Sequence, residues 1–73
     1  MTRSLNIDQA FAEGLHREQG LIAEREHWPM EEWLKRVGFL LGQLAAEGDP
    51  ADRASLQGRI EAVHREGARR FKK

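Results

Sequence analysis

The chain has no cysteine and no tyrosine, only two prolines, and no excess of charge of either sign: twelve basic side chains balance twelve acidic ones over 73 residues. Each absence excludes something. Without cysteine there are no disulfides and no thiolate metal sites. Without net charge, no global field draws the chain to nucleic acid or to an anionic membrane. No apolar run approaches the roughly 20 residues of a membrane span, and the opening MTRSLNIDQ lacks the apolar core of a signal peptide. These features point to a single cytoplasmic domain over residues 1–73. A domain this small buries only about 60% of its unfolded surface. Scaffolds of this size lean on disulfides, metals, oligomerisation or very regular helix packing, and here only the last two remain.

Strand signals are missing too. Period-2 alternation is absent and β-branched residues are few, whereas three helical segments carry their own punctuation. The expected fold is all-α, a small antiparallel three-helix bundle with helices at about 6–27, 29–47 and 50–71; completion of the core by dimerisation is the open alternative. Asn6 and Gln9 form a capping-box pattern at the first helix. Its apolar face is Ile7, Ala10, Phe11, Leu15 and Ile22, interrupted by Gly14 and Glu18. The helix should end near His27, because Pro29 pushes its predecessor out of the α region. Pro29 suits the first turn of helix two, with Glu31 and Glu32 at the positive end of its dipole. Gly48 should end that helix in a left-handed conformation. Asp49 caps the third, Pro50 lies in its first turn, and Leu56, Ile60, Val63, Gly67 and Phe71 form its stripe. Short connections favour antiparallel neighbours.

The segment Pro29 to Glu47, PMEEWLKRVGFLLGQLAAE, carries the most apolar surface. Met30, Trp33, Leu34, Val37, Leu40, Leu41 and Leu44 recur at helical spacing and are expected to form one core-facing stripe. Phe39 lies roughly 160° around from the stripe's centre, among Lys35, Gly38, Gly42 and Ala46. Flanking helices could cover both sides of this segment. Otherwise the second side, with Trp28 at the corner, is a partner-binding surface for a second copy or a larger protein. The candidate partner-binding residues are therefore Trp28, Lys35, Gly38, Phe39, Gly42 and Ala46.

Chemistry is poorly supplied. His16, His27 and His64 are far apart, and none lies four residues from another; a metal site needs several ligands converging. Ser4 and Ser55 have no suggestive histidine neighbour, and no glycine-rich phosphate loop is present. No catalytic residue, metal or cofactor is expected. The last five residues, 69–73, form a basic tail. Arg65, Arg69, Arg70, Lys72 and Lys73 could contact phosphates, which makes nucleic-acid binding the second reading. The same cations also complement the negative end of a helix. A helix-turn-helix reading of the last two helices is weakened by Asp52 and Glu61 among Arg53 and Arg59.

The run Glu32-Trp33-Leu34-Lys35-Arg36-Val37-Gly38-Phe39-Leu40-Leu41-Gly42-Gln43-Leu44-Ala45 resembles one helix of the MazG-like all-α nucleotide pyrophosphohydrolases. The resemblance covers about a fifth of the chain. It implies an oligomer with helices paired between subunits, and a metal-binding acidic face at Phe39, Leu40 and Gln43. None of those three is a carboxylate, so magnesium would lack its hard oxygen ligands there. Kinship would therefore mean a non-catalytic, nucleotide-binding relative. The main expectation is a helical protein–protein interaction module: an adaptor, an inhibitor or a subunit of a small complex, of the kind phages and plasmids use as accessory proteins.

Overall fold

The computed structural model describes residues 7–24 and 27–71, which fold as three helices: α1 (Ile7–Ala23), α2 (Met30–Ala46) and α3 (Pro50–Phe71). The all-α expectation is correct. The arrangement differs from a symmetric bundle in one respect: α3 is the helix packed on both sides, by α1 and by α2, while α1 and α2 do not pack their backbones on each other. Gly14 faces Ser55, and Glu18, one turn on, reaches Arg59, so α1 and α3 run in the same direction. Trp33 lies against Phe71 near the end of α3, whereas Leu44 meets Arg53 near its start, so α2 runs antiparallel to α3.

Helix α1 is shorter than its sequence suggests. It ends at Ala23, not near His27. Gly20 weakens the last turn, and the Glu24 amide divides its hydrogen bond between the Gly20 and Leu21 carbonyls at 3.3 Å each. The link to α2 is therefore longer than the short connection expected. The cap at Asn6 lies outside the described residues. At α2, Pro29 is the extended residue just before the helix (φ −68°, ψ 157°). Its carbonyl accepts from Glu32 and Trp33 at 2.9 and 3.3 Å.

The end of α2 overturns the expectation for Gly48. Glu47 leaves the helix in an extended conformation, and no described residue has a positive φ. The Leu44 carbonyl accepts from the Glu47 amide at 3.2 Å, and a side chain supplies further donors. Arg53 Nη1 donates to Leu44 O at 2.8 Å and to Glu47 O at 2.9 Å, a cation satisfying the negative end of a helix from a neighbouring one. The same turn starts α3 as expected. Asp49 Oδ2 accepts from the Asp52 amide at 3.0 Å, and Pro50 is the first helical residue.

The α1–α3 seam is built from what looked like interruptions. Gly14, Glu18 and Ile22 are buried on α1, opposite Ala54, Gly58, Ala62 and Val63 on α3. A Cβ on Gly14 would collide with the Ser55 carbonyl, and one on Gly58 would collide with the Phe11 carbonyl and come within 2.8 Å of the Leu15 amide nitrogen. Glycine is required at both positions because the two backbones touch. The larger side chains continue from this seam towards α2. Ile22, Trp28, Trp33, Leu40, Ala62 and Val63 form the buried cluster, with Val37, Ile60 and Phe71 against it. Trp28 and Trp33 pack with ring centroids 4.3 Å apart, and Trp33 Nε1 donates to the Trp28 carbonyl at 3.1 Å.

Candidate interaction surface

The apolar residues of α2 do not form one core-facing stripe. Trp33 and Leu40 are buried and Val37 and Leu44 half-buried, but Met30, Leu34 and Leu41 are 50, 66 and 48% exposed. At about 100° per residue these last three share one flank of the helix with Gly38 and Ala45, about 100° from the buried ridge. They were expected in the core. They lie outside it because α2 packs against α3 alone and so buries a single narrow strip. Phe39 is 57% exposed on the other flank, roughly 150° around from Leu34 and Leu41.

Of the six residues singled out for partner binding, Lys35, Gly38, Phe39, Gly42 and Ala46 are exposed. No atom outside the helix's own backbone lies within 4 Å of a Cβ placed on Gly38 or Gly42. Trp28 is the exception. It is only 6% exposed and belongs to the core cluster, so it supports the surface from beneath. Phe39 borders a shallow cavity of about 330 Å³ lined also by Trp28, Glu32, Lys35 and Arg36, and the Arg36 guanidinium lies 5.8 Å from its ring centroid.

Arg36 is fixed there by an arrangement the sequence did not reveal. Glu18 of α1 is fully buried. Its carboxylate accepts from Arg36 Nε at 2.7 Å, from Arg36 Nη2 at 2.9 Å and from Arg59 Nε at 3.0 Å. One carboxylate thus ties all three helices together, and it links α1 directly to α2. Burial disfavours its charge, but the hydrogen bonds and the attraction of the two guanidiniums outweigh that and hold its pKa below the usual carboxylate range. The hydrogen bond to Glu18 pushes Arg36 further up. The available signal was a charged residue interrupting an apolar face at helical spacing.

The basic end of α3 is internally paired. Arg65 Nε donates to Glu61 at 2.8 Å, Arg70 Nε to Glu66 at 2.8 Å, and Arg69 forms a two-pronged pair with Glu66. Those bonds from Arg69 and Arg70 hold the Glu66 carboxyl below its usual range. Arg70 also lies 5.5 Å from the Trp33 ring centroid. A cleft of about 410 Å³ with Ile22 and Ala62 in its wall runs beside Arg65, Arg69 and Arg70. Lys72 and Lys73 lie outside the described residues. His16, His27 and His64 are exposed, and among the described residues no three His, Asp or Glu side chains group as a metal site. Of the positions at which the MazG-like resemblance places acids, Leu40 is fully buried while Phe39 and Gln43 are exposed. No helix of the described residues is long and apolar enough to cross a membrane.

No protein-family model, curated protein or solved structure matches the chain.

Proposed function

We propose that this protein is a non-catalytic helical interaction module that works through the outward surface of α2. The observation that carries the reading is the exposure of four large apolar side chains, Met30, Leu34, Phe39 and Leu41, on one 17-residue helix. Apolar patches of this kind on a small chain mark interaction sites. Burying a leucine, methionine or phenylalanine fully is worth about 1.5–3 kcal/mol each, so the three half-exposed ones on the leucine flank amount to about 2.5–5 kcal/mol before the costs of association, and Phe39 adds its share on the other flank. The tryptophan pair beneath and the Glu18 clamp on Arg36 hold the helix in place, so little ordering is left to occur on binding.

Two variants test this. Leu34→Glu/Leu41→Glu charges one flank, and Phe39→Asp charges the other. All three side chains face outward, so the circular dichroism of both variants should stay helical. Association, measured as solution mass and as the proteins retained by the immobilised chain from a lysate of its own source, should weaken at least about tenfold in one or both, the equivalent of ~1.4 kcal/mol. If both variants match the wild type in both measurements, the reading is wrong.

A further inference from the structure

Resting on that reading, we infer that the occupant of the Met30–Leu34–Leu41 flank is a second copy of this chain, with the two α2 helices packed antiparallel about a two-fold axis between Val37 and Gly38. Four observations converge on it. First, Val37, Met30, Leu41, Leu34, Ala45 and Gly38 occupy a continuous arc of roughly 100° with no ionisable side chain inside it, Glu31 standing at the edge. A phosphate backbone or a charged peptide would find nothing to pair with there. Second, positions 30, 34, 37 and 41 follow the alternating four–three spacing of a coiled-coil seam.

Third, the arc is complementary to itself in one orientation. Antiparallel pairing sets Leu34 opposite Leu41 of the second copy and Met30 opposite its Ala45, large against small, with Gly38 at the axis letting the backbones approach. A Cβ on Gly38 would meet nothing in the single chain. Parallel pairing would put Met30 on Met30, leave a gap between the alanines, oppose Glu31 to Glu31 and align the helix dipoles unfavourably. A surface that matches itself under a two-fold rotation is what a closed dimer requires.

Fourth, the area suffices. Met30, Leu34 and Leu41 are 50, 66 and 48% exposed, which is roughly 300 Å² of apolar surface per copy. With the exposed parts of Val37, Gly38 and Ala45 the pair buries at most roughly 800–1,000 Å² in total, the size of a weak, transient interface. The dimer therefore stands at the weak end of specific association.

Sedimentation equilibrium of the full chain from roughly 5 to 500 µM reads this directly, since a weak dimer dissociates within that range. The wild type should pass from one protomer mass towards two. Leu34→Glu/Leu41→Glu should weaken association at least about tenfold, and Phe39→Asp, on the other flank, should leave it within about twofold. The mass should also be insensitive to salt, because the seam holds no charge pair. The absence of native cysteine allows an orientation test with single substitutions. Oxidised Gly38→Cys should give a covalent dimer. Met30→Cys should not, because antiparallel pairing places the two copies of position 30 about 22 Å apart along the axis.

A wild type that stays monomeric at the highest concentration overturns the inference. So does a dimer that survives Leu34→Glu/Leu41→Glu, or Met30→Cys cross-linking as readily as Gly38→Cys. A monomeric wild type whose retained partners are lost in Leu34→Glu/Leu41→Glu removes the second copy and leaves the interaction module standing. Loss of neither mass nor partners removes both.

Discussion

Two helix surfaces in this molecule are lined by small residues four apart, and they have opposite fates. On α3, Ala54, Gly58 and Ala62 are buried under α1, close enough that neither Gly58 nor the facing Gly14 has room for a Cβ. On α2, Gly38, Gly42 and Ala46 are exposed, and a Cβ on either glycine meets open space. The sequence patterns are nearly interchangeable. The difference lies in the surroundings. The closed seam has Glu18 at its edge, pinned by arginines from α2 and α3, whereas the open one adjoins exposed Leu34, Phe39 and Leu41. A small-residue stripe therefore shows only that a close approach is allowed. Whether it is filled within the chain depends on a second, polar device that fixes the neighbouring helix.

The most severe way to break this comparison is to fill the closed seam. Gly58→Leu drives a branched side chain into the backbone of α1 around Phe11 and Leu15. Overpacking of an ordinary core costs about 1–3 kcal/mol. Here the obstacle is main chain, which cannot rotate aside, so a loss of at least about 4 kcal/mol is expected, a large part of a total stability of about 5–15. Circular dichroism and urea titration should find the variant largely unfolded or without a cooperative transition. A cooperative variant within about 1 kcal/mol of wild type would show that α1 does not lie where it is described.

Next in size is the polar clamp. Glu18→Ala strands Arg36 and Arg59, and breaking a buried ion pair from one side costs about 3–5 kcal/mol. Both guanidiniums are about a fifth to a quarter exposed and can turn to water, which places the loss near about 3 kcal/mol. The clamp also sets a pH dependence. The Glu18 carboxyl titrates lower in the folded chain than its usual 4.5, so the folded state binds fewer protons than the unfolded one in that region. Its contribution is complete above about pH 4.5 and is lost as pH falls through the lower folded value. Urea midpoints of the wild type should drop from pH 6 to pH 3, and those of Glu18→Gln should drop less. Equal slopes for the two would assign the acid sensitivity elsewhere.

How much of this was legible beforehand follows the same division. Three helices, the Asp49–Pro50 start of α3 and the off-stripe position of Phe39 were readable because each rests on local chemistry: periodicity, capping and angular position on one helix; whether a neighbouring helix covered Phe39 was not. The seam was not, since Gly14 and Glu18 look like defects in an apolar face until Ser55 and Arg59, more than forty residues on, are brought against them. Gly48 misled for a related reason. A glycine after a helix usually signals a left-handed end, but Arg53 supplies the missing donors from the next helix, and that pairing exists only in the folded chain. The leucines at 34 and 41 were placed in the core because periodicity reports an apolar face without saying how wide a neighbour covers it.

The smallest effect sharpens the comparison from the other side. Gly42→Ala adds one methyl group to the open stripe, where nothing lies within 4 Å of it. In the middle of a helix, alanine is favoured over glycine by about 0.5–1 kcal/mol, because the unfolded chain loses freedom and the helix gains propensity. The variant should therefore be more stable than the wild type by about that amount, visible as a rise of a few degrees in melting temperature. The same exchange at Gly58 must be destabilising, because the added methyl group meets the Phe11 carbonyl. One substitution thus has opposite signs at two glycines of similar sequence context. If Gly42→Ala proved destabilising at concentrations where the chain is associated but stabilising where it is dilute, the open stripe would itself be the covered face. The position of the partner would then shift from the leucine flank towards Phe39.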